Sequence, residues 1–459
     1  MANIHIGSAL LQIMTRTVPE PPDPGVVNAL RFGSDTFRFL EGIQSRFDDA
    51  TRIPVPGAPD LVVVTNPALA REALDQPDVF GRVPAQDSAA LISEQGLVQS
   101  DGELWRQQRS VMGPAFAGRQ VAAYADTTGR RAEQIASEWA ERGEREINLH
   151  REMTSLTIRV ASEILLGEDI GRERAADFHE WMATAGREFE FGLEVATPEW
   201  LPERISPEFE EAAANIRGLA EELIERRRAD LANGDHEGPP DMLTMLIRAE
   251  DDPDVEYPEN QIRDEVATFL IAGHETTALS LSYTLSLLSQ HPTAREEVRA
   301  EAREVVGNGP LTHEDVDALP ATMRAYREAL RLYPPAWSVF RRADSPADLG
   351  EYRLDGGSAL MIPLWSIQRD GRYFDEPEQF DPSRWERRDP GGVEAYMPFS
   401  VGPHACIGQA FALQGATLTL ARLVSQFDID VAPTELDDLR VTPTLRPQDG
   451  VSATVTPLD

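Results

Sequence analysis

Phe399-Ser400-Val401-Gly402-Pro403-His404-Ala405-Cys406-Ile407-Gly408 leads directly into Gln409-Ala410-Phe411-Ala412-Leu413-Gln414-Gly415-Ala416, a glycine-bearing turn followed by a helical stretch. Cys406 is the only cysteine among the 459 residues. That excludes an internal disulfide and any multi-thiolate zinc or iron–sulfur site. A thiol at a helix N-terminus faces unpaired N–H groups and the positive end of the helix dipole, both of which favour its thiolate. A single thiolate ligand suits a heme iron, onto which it pushes electron density that favours O–O cleavage. An isolated cysteine is more often an inert, half-buried side chain, so its neighbours must decide.

Those neighbours resemble the heme-binding loop of cytochrome P-450 enzymes, Phe-x-x-Gly-x-Arg-x-Cys-x-Gly, with Phe399, Gly402, Cys406 and Gly408 at the matching spacing. Gly402 supplies a turn that a side chain would block, and Gly408 lets the backbone approach a porphyrin closely. Phe399 can cover the sulfur and limit water around it. His404 stands where the family most often has Arg, and Ser400 where it often has Gly. The resemblance implies heme b with Cys406 as axial ligand and His404 as a propionate donor. An imidazole there is expected to change charge near neutral pH.

Three further segments agree, in family order. Glu265-Val266-Ala267-Thr268-Phe269-Leu270-Ile271-Ala272-Gly273-His274-Glu275-Thr276-Thr277-Ala278-Leu279 reads as part of a long helix that continues to about Gln290 and ends before Pro292. His274 and Glu275 near its middle argue for a buried core helix rather than a membrane span. Ala272 and Gly273 leave room for a flat cofactor, and Thr276 can bond back to the carbonyl of residue 272. Ala-Gly-His-Glu-Thr-Thr resembles the family's oxygen-activation motif, which implies Glu275 and Thr276 as an acid–alcohol pair. Glu328 and Arg331 are three apart and share a helical face. Taken alone they could equally be a surface pair contributing little. In this order they resemble the family's Glu-x-x-Arg pair, with Arg384 of Phe380-Asp381-Pro382-Ser383-Arg384-Trp385 completing a structural network that fixes the cysteine loop. Trp105 and Arg109, four apart, resemble propionate ligands, as does Arg341 beside Arg342. A solvated basic helix face is the competing reading of the first segment, above all for Arg106.

The pattern predicts a mainly α fold with a small β subdomain: extended segments at Ile53–Pro56 and Leu61–Thr65, helices from about Gly102 to Leu332, and a Pro-rich meander to Cys406. A helix to about Phe427 and a β-rich tail follow. No Gly/Ser-rich linker or repeat divides the chain. The expected organisation is an N-terminal extension over residues 1–25, disordered in part, and one domain over 26–459. The first thirteen residues, which precede Met14, are read as disordered or as a start-codon artefact. They make neither a membrane anchor nor a signal peptide, and a cytoplasmic protein is expected. There is no G-x-G-x-x-G after a strand, no P-loop and no flavin-length segment, so electrons are expected from a separate donor, a ferredoxin or flavoprotein. Dioxygen and an apolar small molecule would be the other partners. Ser88–Gly96 and Phe189–Ala196 are the expected substrate-facing regions. Two alternatives stay open: a peroxide-using or isomerising heme-thiolate enzyme, and a non-catalytic heme sensor. The intact Glu275-Thr276 pair speaks against the first, and the lack of a signalling module against the second.

All 43 basic residues are Arg, against 78 acidic ones, for a formal charge of −35. Such acidity argues against nucleic acid and anionic membrane as partners. It resembles the surfaces of proteins from salt-accumulating haloarchaea, although GC-rich codon usage explains the missing lysine equally well. Like charges spread over a folded surface oppose folding. Raising ionic strength from about 0.1 M to about 1 M shortens the Debye length from roughly 10 Å to roughly 3 Å. Thermal unfolding should therefore move to higher temperature across that salt series, with a neutral osmolyte as control. Equal stability at both ends would make the acidity a solubility feature alone.

Overall fold

Nearly every face of the 30-residue helix Gln261–Gln290 is buried, as expected of a helix that is apolar all round rather than along one stripe. In the computed structural model, which describes residues 16–54, 60–84, 87–189, 205–234, 241–253, 255–307 and 309–458, this helix is the axis of the molecule. The helices Leu149–Leu165, Pro207–Asn233 and Pro320–Leu332 lie against it. Its end follows from sequence: His291 leaves the helical conformation and Pro292 opens the next helix at its first turn, where a missing N–H costs nothing. Gly273 faces the Leu149–Leu165 helix, where a Cβ would stand 3.3 Å from that of Ala161. Its small size thus serves helix packing rather than the cofactor space expected from sequence.

The helix that follows the cysteine loop, Gln409–Gln426, packs against Gly118–Arg142, Pro292–Val305 and Pro320–Leu332. The β structure lies to one side. Its main sheet has five strands in the order Ala50–Ile53, Leu61–Val64, Ala359–Ile362, Val339–Ala343 and Phe80–Gly81. Only the Leu61–Val64/Ala359–Ile362 pair is parallel. Arg16–Thr17 pairs in parallel with Tyr352 and Arg353, and Arg52 N–H donates to the Pro19 carbonyl at 2.8 Å. Residues 16–25 are thereby tied to the sheets, while residues 1–15 lie outside the described residues.

The mainly α architecture with a small β part is as the sequence predicts. One element inside the predicted helical region is not helical: Arg145–Asn148 is a strand, paired with the C-terminal strand Ser452–Pro457. Its partner lies some 300 residues away, so no local pattern could announce it. Among the described residues no helix is long and apolar enough to cross a membrane.

Candidate active site

The cysteine loop is shaped by its backbone. Ser400 and Gly402 both take left-handed conformations, with φ of 58° and 75°. At Gly402 a Cβ would also meet the Leu74 carbonyl oxygen at 2.3 Å, so glycine is required there on two counts. The turn closes when the Cys406 N–H donates to the Phe399 carbonyl at 2.9 Å and the Ala405 N–H to that of Gly402 at 3.0 Å. The Gly408 N–H points at the Cys406 sulfur. Even so, burial pushes the thiol above its ordinary pKa, and the Gly408 N–H and Arg109 offset this only in part. The loop N–H thus favours the thiolate, in the direction read from sequence, but burial outweighs it; a coordinating cation would deprotonate the thiol outright.

The thiol is surrounded by protein, yet its surface is open. Both facts hold together if Cys406 lines an internal space. The same is true of Ala272, which is exposed although Phe269, Leu270, His274 and Glu275 around it are buried. Phe116 joins the two walls: it stacks on Phe269 with ring centroids 5.7 Å apart, and a Cβ at Gly408 would stand 3.8 Å from it and 4.0 Å from the sulfur. Thr276 Oγ1 donates to the Ala272 carbonyl at 3.2 Å.

Glu275 is not brought onto Thr276. One residue along a helix turns the side chain by about 100°, and the Glu275 carboxylate goes to the other side. Its Oε1 lies 2.9 Å from Arg446 Nε, an ion-pair distance without hydrogen-bond alignment. Its Oε2 lies 3.5 Å from His274 Nε2. Burial by itself would raise this carboxyl, but Arg446, with His274 and His150, outweighs it and holds the group well below the usual carboxylate range. Glu275 there lines a pocket shared with His150, His179 and Arg446.

At the edge of the internal space, helix Gly102–Met112 presents Trp105 and Arg109. Trp105 is buried and meets the His404 ring edge-on, with centroids 4.2 Å apart; Arg109 is electrostatically coupled to Cys406. Arg106, by contrast, is exposed and paired with Asp78 at 2.5 Å. Arg341 is buried in the same corner, whereas Arg342 turns outward to Asp344 at 2.7 Å, which separates the two arginines that sequence left side by side. Burial, then Arg82 and Arg341, push the His404 imidazole down to about 4. Its ring is therefore neutral at neutral pH, contrary to the charge change expected from sequence. Burial likewise lowers Arg82 and Arg341 to about 10. Both ring nitrogens of His404 and the Nε atoms of Arg82 and Arg341 lack hydrogen-bond partners. A planar cofactor with acidic side chains fits this arrangement: one open thiol, a close-approach glycine beside it, and unpartnered buried donors at the rim.

Glu328 holds the loop from below. It is fully buried and receives Arg331 through two bonds, at 2.8 and 3.0 Å. Arg384 Nε follows at 2.8 Å and Trp385 Nε1 at 2.9 Å. Arg331 in turn donates to the carbonyls of Gln368, Pro377 and Gln379. Gln368 accepts from the Met397 N–H at 3.0 Å, two residues before Phe399.

Two residues escaped the sequence reading. Arg82 belongs to no recognisable motif. Glu265 accepts from the Leu97 N–H at 3.0 Å and from Gln261, and burial pushes its carboxyl up to about 8. With Ser93 bonded to the Asp264 carbonyl at 3.1 Å, this fastens part of the Ser88–Gly96 region to the start of the central helix. Of the other expected substrate-facing region, Phe189–Ala196, residues 190–196 lie outside the described residues.

The family model for Cytochrome P450 matches residues 18–452. Cyclooctatin synthase of Streptomyces melanosporofaciens is 32% identical over 76% of this chain and 76% of its own length. Cyclooctat-9-en-7-ol 5-monooxygenase of the same organism is 30% identical over 80% of each chain. Pentalenene oxygenase of Streptomyces avermitilis is 29% identical over 89% of this chain and 90% of its own length.

Removing the Glu328 charge tests the network. Glu328→Gln leaves two buried guanidiniums without their counter-ion, a class of change that costs about 3–5 kcal/mol. Thermal unfolding should drop sharply, while the surface variant Glu103→Gln should unfold like the parent. A Glu328→Gln protein unfolding with the parent would show that the network does not stabilise the loop.

Proposed function

The chain belongs to the cytochrome P450 family and is a heme-thiolate monooxygenase, and from this premise we propose which residues do the work. Heme b, which the family binds, supplies the iron chemistry that activates dioxygen. Cys406 would bind its iron through the thiolate, with Phe399 limiting water around the sulfur and the Gly408 N–H holding the sulfur in place. Trp105, Arg109, His404 and Arg341 would donate to the propionates. Ala272 would give the substrate its space on the opposite wall. The observation that carries this reading is the open thiol of Cys406 deep inside the protein, facing the same internal space as Ala272.

Proton supply falls to Thr276 and Glu275. Thr276 Oγ1, held on the Ala272 carbonyl, would pass a proton into the cavity. Glu275, ionised and turned outward in the resting position, would replenish it after its carboxylate leaves Arg446, takes up a proton from solvent and turns toward the alcohol. An apolar small molecule suits the walls of Phe116, Phe269 and Ala272, and the relatives' names span different compounds, so the substrate class stays at that level. A ferredoxin or flavoprotein docking near Cys406 would supply electrons, in a cytoplasmic, salt-adapted protein working as one domain over residues 26–459, to which residues 16–25 are tied.

The reduced, carbon-monoxide-bound protein should show the Soret band of a thiolate-ligated heme, and Cys406→Ala should lose it. A band at the position of histidine-ligated heme in freshly folded protein would overturn the ligand assignment. Thr276→Ala should keep heme and substrate affinity while reducing equivalents appear as hydrogen peroxide rather than product. Parental coupling in that variant would remove Thr276 from proton delivery.

A further inference from the structure

Glu328 is buried against two arginines, Arg331 and Arg384, and Glu275 against one, Arg446. Glu265 is as deeply buried as Glu328, yet among the described residues no cation reaches it. Its carboxyl meets neutral donors only: the Leu97 N–H at 3.0 Å on Oε2 and Gln261 Nε2 at 3.0 Å on Oε1. Burial pushes it up to about 8, and Asp264, a charge of its own sign, adds to that. A buried carboxyl without a counter-ion is tolerable as the neutral acid and costly as the carboxylate.

Residues 93–97 cover it as a strap laid on the start of the central helix. Asp264 Oδ2 accepts from the N–H groups of Glu94 at 2.9 Å and Gln95 at 3.0 Å. Ser93 Oγ lies 2.9 Å from Thr268 Oγ1, and Gln261 Nε2 donates to the Gln95 carbonyl at 3.0 Å. Gly96 comes so close that a Cβ would stand 2.0 Å from Thr268 Oγ1. Glu265, Thr268 and Ala272 follow one another at steps of three and four, and so share a helical face. Ala272 is the open residue of that face. The strap closes the two turns before it.

We propose that Glu265 is a positioning residue: it holds residues 93–97 as a wall at the end of the internal space, and the wall opens when Glu265 loses its proton. The use of that space rests on the heme-thiolate reading above; the lock itself does not. Opening admits water, and the carboxyl returns from about 8 toward its ordinary value of 4.5, so opening releases a proton. Each unit of pH between these two values therefore favours the open wall by up to about tenfold, and above the higher one the gain stops. The other ionisable groups facing Glu265 are Asp264, paired with Arg263 at 3.0 Å, and Tyr257, whose hydroxyl burial and Glu265 push up. Glu94 of the strap is exposed, and Arg217 is taken up by the Leu91 carbonyl.

The test uses the heme-loaded protein and reads amide hydrogen exchange at Leu97, expressed as protection relative to an unstructured chain. Across the two units from about pH 5.5 to about pH 7.5, protection in the parent should fall by about tenfold to a hundredfold. Glu265→Gln keeps the shape without the titrating proton and should hold a constant value. Phenyl isocyanide, an uncharged apolar heme ligand, should bind the parent faster over the same interval, and Glu265→Gln at a constant rate. Level protection at Leu97 in the parent, or an equal slope in Glu265→Gln, overturns the lock. An isocyanide rate independent of pH, in a parent whose Leu97 protection falls, overturns the placement of the wall at the cavity. A failure of the family reading is separately visible, because the parent would then lack the thiolate-type carbon-monoxide spectrum.

Discussion

The Glu328 carboxylate is fully buried, and it draws Arg331 from its own helix and the adjacent Arg384 and Trp385 from a distant segment onto itself. Stranded, a buried carboxylate would be costly; fully satisfied, it fixes where each partner stands. Arg331 passes that constraint to the carbonyls of residues 368, 377 and 379, and Gln368 passes it to Met397. The cysteine loop starts two residues later. An irregular, Pro-rich stretch thus gains the rigidity of a helix without being one, and Cys406 is set against the central helix by bonds that never touch it.

That central helix separates two environments by a single residue step. Thr276 looks into the internal space, and Glu275 looks out toward Arg446, His274 and the pocket lined by His150 and His179. The arrangement turns the carboxylate charge away from Ala272 and the Thr276 alcohol and toward Arg446. The basic corner follows a related logic. Its unpartnered donors, on Arg82, Arg341 and His404, lie together where the fold gathers several cations around one buried ring.

Much of the site was legible in the sequence because its geometry is local. The glycine at 402 is dictated by a turn within the decapeptide, the Thr276 bond to residue 272 is one helical turn long, and Glu328 meets Arg331 across three residues. Motif order then joined these fragments into one family. Arg82 was invisible for the opposite reason: Arg341, the charge that acts on it, lies 259 positions away and comes near only in the fold. The strand Arg145–Asn148 was missed likewise, since its pairing partner is the end of the chain.

By itself the sequence determined the family, the order of the motifs, the mainly helical architecture and the end of the long helix, all of which rest on spacing within a few turns of chain. Tertiary structure alone decided the charge state and direction of the side chains. His404 is neutral because two distant arginines and burial surround it. The Cys406 thiol is raised because burial outweighs the helix end. Glu275 is ionised and turned outward because Arg446 reaches it from the C-terminal hairpin. Desolvation and Coulomb forces depend on every group within several ångströms, whatever its place in the chain, and only the folded protein brings those groups together.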